Sequence, residues 1–372
     1  MYMQLSYWEL KNWFTQVNFT VVGSGIVGLH TALRLREKYP AAKILVLEKG
    51  TLPQGASTKN AGFACFGSIS EILDDLKTHS EEEVFQLIQK RYEGLQLLRK
   101  NLGDKTIDYK PYGGYEVFLT KDESTFETCM QSIPKINQLV KPLFKEPVYH
   151  VQNNPFQFKN CFDSFIVNAF EGQLDTGNMM EALLKKAIAN GILILNNQTV
   201  NAYTEGNDSV EVVANNFSFT THKLLFATNG FARELTNNEV VPARAQVVIT
   251  EPIENLQLKG TFHIDKGYTY FRNINDRILI GGGRNLDIDG ETTTSLDTTK
   301  LIQQHLEDVL KNVILPDTSF KIAHRWSGTM GVGLQKKPIV KQLSNNVYCG
   351  VRMGGMGVAI GSLIGKELAD LI

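Results

Sequence analysis

The segment Gly23-Ser24-Gly25-Ile26-Val27-Gly28 and the acid Glu48, 20 positions beyond its last glycine, carry the clearest chemical meaning in the chain. Gly23 permits a tight turn, and Gly25 lets backbone approach a pyrophosphate. Gly28 and Ala32 let a helix lie close to a sheet. The free N–H groups and partial positive charge of a helix N-terminus favour phosphate at that point. Glu48, with Lys49 beside it, stands where a carboxylate takes hydrogen bonds from a ribose. The pattern predicts a bound dinucleotide. NAD and FAD both use it, but a pyridine-nucleotide reductase would normally carry a second such unit and often a redox-active cysteine pair. Neither is visible. Gly281-Gly282-Gly283 and Gly354-Gly355-Met356-Gly357 lack the strand, helix and acid around them.

These residues need elements to hold them. Phe19–Val22 reads as a strand, Ile26–Lys38 as a helix ended by Pro40, and Lys43–Leu47 as a strand with an unbroken ILVL core, together a βαβ unit. Spacings near 3.6 predict one or two helices over Glu71–Leu102 and another over Met179–Asn190, stopped by Gly191. Further strands are expected at Tyr115–Thr120, Ile192–Leu195, Val210–Val213, Lys223–Ala227, Gln246–Thr250, Thr269–Arg272, Arg277–Ile280 and Asn346–Cys349. A last helix is expected over Val358–Leu371. The first eighteen residues read as an amphipathic extension bearing Tyr7, Trp8, Trp13 and Phe14, packed on the surface.

Composition narrows the class. The 372 residues are 42% hydrophobic and 21% charged, with a formal net charge of -1, which suits a soluble protein with no overall attraction to nucleic acid or anionic membrane. No apolar run approaches the roughly 20 residues of a membrane helix. The N-terminus makes a poor signal peptide. Cys65, Cys129, Cys161 and Cys349 are scattered, without metal-ligand spacing, so reduced thiols, no metal site and a cytoplasmic location are expected.

Several stretches, in order, resemble the D-amino-acid oxidase superfamily of FAD-dependent amine and amino-acid oxidoreductases, nearest to its branch acting on glycine, sarcosine-type and polyamine-derived amines. Gly55-Ala56-Ser57-Thr58-Lys59-Asn60-Ala61-Gly62 is similar to the family's stretch beside the pyrophosphate and flavin. Leu174-Asp175-Thr176 resembles the element before the second nucleotide contact, and Val200 matches the residue whose backbone meets the adenine. Ala227-Thr228-Asn229-Gly230 resembles the second nucleotide turn. Tyr270-Phe271-Arg272 with Ile278 to Gly283 resembles the substrate-domain strand pair. Trp326-Ser327-Gly328 and Met353-Gly354-Gly355-Met356-Gly357, leading into Val358, resemble the final flavin-side loops.

The resemblance implies an α/β fold: a Rossmann-like FAD-binding domain interleaved with a smaller α+β substrate domain on a mixed or antiparallel sheet. Residues 17–82, 160–232 and 324–372 would form the first, and 83–159 and 233–323 the second. It implies non-covalent FAD and hydride transfer from a CH–NH group of a small amine or amino acid, giving an imine. The electron acceptor would be oxygen or another carrier. The last helix, opening at Val358 after the glycine-rich loop, would hold negative charge on the flavin without reorganisation, and no protein nucleophile is needed.

Departures bear on the substrate. The family's carboxylate-binding arginine would follow Gly328, where this chain has Thr329 and Met330. Arg272 is the first substitute and Arg352 the second, with Tyr268 and Tyr270 as further cavity residues. Leu279 stands where sarcosine oxidases place an oxygen-activating lysine, and the flavin-attachment cysteine near Gly328 is absent. His30 and His324 read as structural. The alternatives are a flavoenzyme acting on a 2-hydroxy acid or other alcohol, and an FAD-bound component of tRNA modification or a scaffold.

Overall fold

The computed structural model describes residues 5–372 apart from 216, 234 and 236–238. The first four residues of the N-terminal extension therefore lie outside the described residues. Within the rest of it, Tyr7 and Trp8 are 67% and 64% exposed, whereas the Phe14 ring packs 4.5 Å from that of Phe217.

Two eight-stranded sheets organise the chain. In the first, Val347–Val351, Ser218–Phe226, Val17–Val22, Ile44–Leu47 and Leu193–Leu195 run parallel in that order. The ILVL strand is buried at every position because both sheet faces are covered. Ile26–Lys38, Thr176–Ala189 and Gly357–Asp370 bury their apolar sides together on one face. Ile339–Ser344 flanks one edge, and Val210–Ala214 and Val200–Glu205 branch from Ser218–Phe226.

The second sheet runs Ile322–Val332, Val241–Thr250, Arg277–Gly282, Thr269–Ile274, Thr261–Ile264, Gly114–Glu116, Ser164–Asn168, Tyr149–Asn153. Its pairs are antiparallel except Thr261–Ile264 with Gly114–Glu116. One face carries stacked aromatics, including Phe262 on Phe271, and the helix Lys300–Val309. The chain passes between the sheets four times, from 17–47 to 114–168, back to 193–226, out to 241–332 and home to 339–351. Two segments assigned from sequence to the nucleotide-binding part, Ser164–Asn168 and Ile322–Val332, run in this second sheet.

Local chemistry explains the other differences. The Glu71–Leu102 stretch divides into Ile69–Asp75 and Glu81–Leu102, each opened by a capping box, Ser68 with Glu71 and Ser80 with Glu83. The expected Tyr115–Thr120 strand shortens to Gly114–Glu116. Glu123–Val140 is a helix that Pro134 disguises in the sequence. Thr261–Ile264 is a strand too short to show a period.

Candidate active site

A cavity of about 700 Å³ lies against the carboxyl ends of the parallel strands and extends under the second sheet. Two helices aim their N-termini at it: Ile26 and Val27 line it, and so do Gly357 and Val358. Neither helix has a side-chain cap; Ile26 N–H alone is met by Ser57 Oγ, 3.0 Å away. The helices converge because they touch through glycine. A Cβ on Gly361 would lie 2.9 Å from Ile26 Cγ2, and one on Gly365 would lie 2.5 Å from Val27 O.

The glycine turn builds this end of the cavity. Gly23 has φ +103°, and an added Cβ would come 2.8 Å from Ala227 O; one on Gly28 would come 1.9 Å from Gly23 O. Gly25 lines the cavity, while Ser24 and Gly28 support it from behind. Glu48 also lines it, but its carboxylate is already engaged. Oε2 accepts from Ser24 N–H (3.0 Å) and Ser24 Oγ (2.9 Å), and Oε1 from Gly50 N–H (3.0 Å) and Gln54 N–H (3.2 Å). Glu48 thus ties the glycine turn to the following loop, besides lining the cavity. Lys49 sets its ammonium 3.2 Å from the centre of the Phe231 ring, and burial lowers its pKa.

The remaining segments enclose the middle of the cavity. Ser57, Asn60, Ala61, Val200, Ala227, Thr228, Asn229 and Gly328 line it, as do Met353, Gly354, Gly355 and Met356. Thr58, Gly62, Gly230 and Trp326 stand behind the wall. Trp326 Nε1 donates to Lys59 O and Thr58 Oγ1 to Pro53 O. Asn229 Oδ1 accepts from Met353 N–H at 3.0 Å, joining the 227–230 turn to the last loop.

Under the second sheet, direct cross-strand pairing places Glu116, His263, Tyr270, Gly281, Val247 and Trp326 in one row. Side chains in such a row share a face. Tyr270 lies across Gly281, where an added Cβ would meet its ring at 2.7 Å. Phe63 meets His263 and Tyr270 edge-on, at centroid distances of 5.3 and 5.4 Å. Ala61, Val247 and Leu279 form a small apolar cluster beside them. Burial lifts the Tyr270 phenol to about 12, so it is neutral.

Arg272 requires a correction. It shares the face of Tyr270, as alternation predicts, but it is 4% exposed and does not line the cavity. Its Nη1 donates to Gly62 O (3.0 Å) and Leu174 O (2.8 Å), and burial draws its pKa down to about 10. One row further from the cavity along the strand, its guanidinium is spent on holding two loops. Arg352 does line the cavity, at φ +65°, with Nε and Nη1 donating to Lys337 O and Glu239 O. Tyr268 lines it too, beneath the Arg284 guanidinium, 5.9 Å from the ring centre.

Sequence reading passed over His263, Phe63, Cys65, Glu71 and Arg284, all on the cavity. The signal available for His263 was a single histidine inside the apolar run TFHI. No group of three or more acidic, cysteine or histidine side chains among the described residues is placed to hold a metal, and the four cysteines are unpaired. No helix among the described residues is long and apolar enough to cross a membrane.

The residues fit FAD. Thr228 Oγ1, Gln198 Oε1 and Thr329 Oγ1 are buried on the cavity with no protein partner, and buried polar atoms require partners. Two uncapped helix N-termini converge where anionic groups would lie. A parallel sheet with a glycine turn and acid, joined to a second sheet that roofs the same cavity, defines a flavin-dependent oxidoreductase.

The chain belongs to the family described as FAD dependent oxidoreductase, whose model matches residues 18–371. It is 22% identical over 370 residues to a probable oxidoreductase, OrdL, of Haemophilus influenzae, covering 95% of this chain and 82% of that protein. It is 23% identical over 373 residues to the gamma-glutamylputrescine oxidoreductase of Escherichia coli K12, with the same coverage of 95% and 82%. The crystal structure of glycine oxidase from Bacillus cereus superposes with a TM-score of 0.76 at 15% identity, covering 95% of this chain and 94% of that one.

Proposed function

We propose that the protein oxidises the CH–NH group of a small amine or amino acid to an imine, which water then hydrolyses to a carbonyl compound and a smaller amine. The observation that carries this reading is the cavity end bounded by Phe63, His263, Tyr270, Met330 and Met356, where apolar side chains flank the His263 imidazole and the neutral Tyr270 phenol. FAD, when bound, supplies the acceptor for the hydride. The protein's part is to orient the substrate C–H, exclude water and accept the amine proton. Glu48, Ser57, Asn60, Thr228 and the two helix N-termini would hold the cofactor, non-covalently because no cysteine stands near Gly328. Relatives that act on gamma-glutamylputrescine and glycine support a nitrogen-bearing substrate.

A substrate carboxylate would be met by Arg284. It is the cavity guanidinium, among the described residues, that makes no hydrogen bond to protein, whereas Arg91 and Arg352 each donate to backbone carbonyls. Leu279, 2% exposed and packed with Ala61 and Val247, brings no charge there, which favours a carrier other than oxygen as acceptor. Four unpaired thiols suit the reducing cytoplasm.

The test is anaerobic bleaching of the FAD-loaded protein by glycine, sarcosine, gamma-glutamylputrescine, methylamine, glycolate and lactate. Reduction by a nitrogen compound and not by the hydroxy acids is expected. Reduction by the hydroxy acids alone would overturn the reading. Admitting air to the reduced protein then separates fast reoxidation from an acceptor other than oxygen.

A further inference from the structure

Resting on that reading, we propose that His263 is a catalytic base of this site: a ring nitrogen of its imidazole takes the proton of the bound ammonium, so that the amine binds as a cation and reacts as a free base.

His263 is 6% exposed and lines the cavity. Its Nε2 is buried without a partner, and neither ring nitrogen has a hydrogen-bond partner in the protein. Its backbone is held in the sheet, where His263 O accepts from Val117 N–H at 2.8 Å. A buried, unmatched Nε2 is costly, whereas Nδ1, unpartnered and not among the buried atoms, is the nitrogen open to a ligand. His30 also has a buried, unpartnered Nε2 but sets Nδ1 2.9 Å from Ile26 O within its own helix, so the two differ at Nδ1. His263 stands directly opposite Tyr270 across the strands, and the Phe63 ring edges against both. The three rings therefore border one small volume.

Charges of both signs line the cavity near it, Glu71 and Asp74 together with Lys266 and Arg91. Glu71, on the Ile69–Asp75 helix, lines the same cavity. Its Oε2 accepts from Ser68, while an added Cβ on Gly267 would lie 3.1 Å from Oε1. Asp74, one turn on, also lines the cavity, with Lys266 3.4 Å away. On the neighbouring strand, Glu116 is paired in register with His263, and burial raises its carboxyl to about 7. Tyr270, the titratable group on the other side, is a neutral phenol. Burial lowers the pKa of His263, leaving it neutral and able to accept a proton, while the charge of Glu71 acts in the opposite direction and favours the imidazolium once formed.

The step balances. R2CH–NH2R'+ passes its N–H proton to the unprotonated ring nitrogen as the lone pair so freed forms the C=N bond and the C–H bond breaks, giving imidazolium; FAD, when bound, would supply the acceptor for the C–H electron pair. The second N–H proton leaves with release of the imine, or stays on it as iminium. Amine bases of ordinary strength are almost wholly protonated at neutral pH, so a base within contact distance removes a real barrier.

The experiment compares parent, His263→Gln and His263→Ala by anaerobic stopped-flow reduction from pH 6 to 9. The probe is whichever of glycine, sarcosine or gamma-glutamylputrescine bleaches the parent fastest, at saturating concentration. Parent reduction is expected to vary little with pH across this range. In His263→Gln, it should fall about 100-fold or more at pH 7 and climb close to tenfold per pH unit, because only free amine reacts. Added imidazole should restore part of the rate in His263→Ala, and substituted imidazoles should follow their own basicity. FAD content and the visible spectrum check that both variants are folded. A parent-like pH profile in His263→Gln overturns the proposal, and so does a loss in His263→Ala that no imidazole rescues. If no nitrogen compound bleaches the parent, the proposed function itself fails and this inference falls with it. Normal bleaching in the parent with an unchanged profile in the variants removes His263 alone.

Discussion

Replacing Arg272 by methionine separates a structural arginine from a substrate-binding one. The perturbation removes a guanidinium that donates to Leu174 O at 2.8 Å and Gly62 O at 3.0 Å. Gly62 O keeps a second donor, Leu174 N–H at 2.9 Å, but among the described residues no other donor reaches Leu174 O. A charge-assisted hydrogen bond contributes about 1.5–3 kcal/mol. Against this stands the cost of burying the charge, since Arg272 is 4% exposed and its Nε has no partner. Methionine keeps much of the apolar stem, so the net loss should be about 1–3 kcal/mol. A loss of that size lowers a melting midpoint by about 2–4 °C per kcal/mol in mid-sized domains, and somewhat less in a chain this long. The assay is melting by circular dichroism, together with anaerobic flavin reduction by sarcosine and dimethylamine. Arg272→Met should melt earlier, retain FAD and keep the parent's ratio of rates. An unchanged midpoint with a collapsed preference for sarcosine would refute the reasoning and return Arg272 to the substrate.

Three further outcomes follow from the same contacts. Glu48→Ala removes four hydrogen bonds that fix the glycine turn to the 50–54 loop, as well as the ribose acceptor; FAD affinity should drop about tenfold or more, and a titration of apoprotein that matches the parent would count against the assignment. Gly365→Ala puts a Cβ 2.5 Å from Val27 O and must part the two helices; it should cost about 1–3 kcal/mol and weaken FAD binding, with an unaltered melt and titration as the contrary result. Glu171 is buried, and desolvation raises it from 4.5 to about 8 despite N–H donors from Phe66 and Gly67. A raised folded pKa gives stability that is complete below the unfolded value and is lost as pH climbs through about 8. Glu171→Gln should therefore gain on the parent in melts from pH 5 to pH 9; a gain that shrinks with rising pH would contradict this.

The nucleotide end was legible because its information is local. Strand, glycine turn, helix and acid fall within Phe19–Glu48, and each glycine has a single steric reason. The helix Ile26–Lys38 lies at its expected bounds. The substrate end was less legible because it is assembled from distant segments. Alternation along Thr269–Ile274 puts Tyr270 and Arg272 on one face, but a face has depth, and period two carries no information about which row meets the cavity. His263 becomes visible only through its register with Tyr270, set by a strand four residues long. Arg284 was hidden by a turn, which has no period to read.

The four passages of the chain between its sheets have a consequence for dissection. Cutting the protein at one point, wherever it falls between Val22 and Val347, leaves both fragments short of strands from the first sheet. No contiguous stretch is a portable cofactor module, and the two halves of the cavity cannot be exchanged separately with those of a relative by a single crossover. Shuffling this scaffold toward a new substrate must proceed loop by loop, with the stitching left intact.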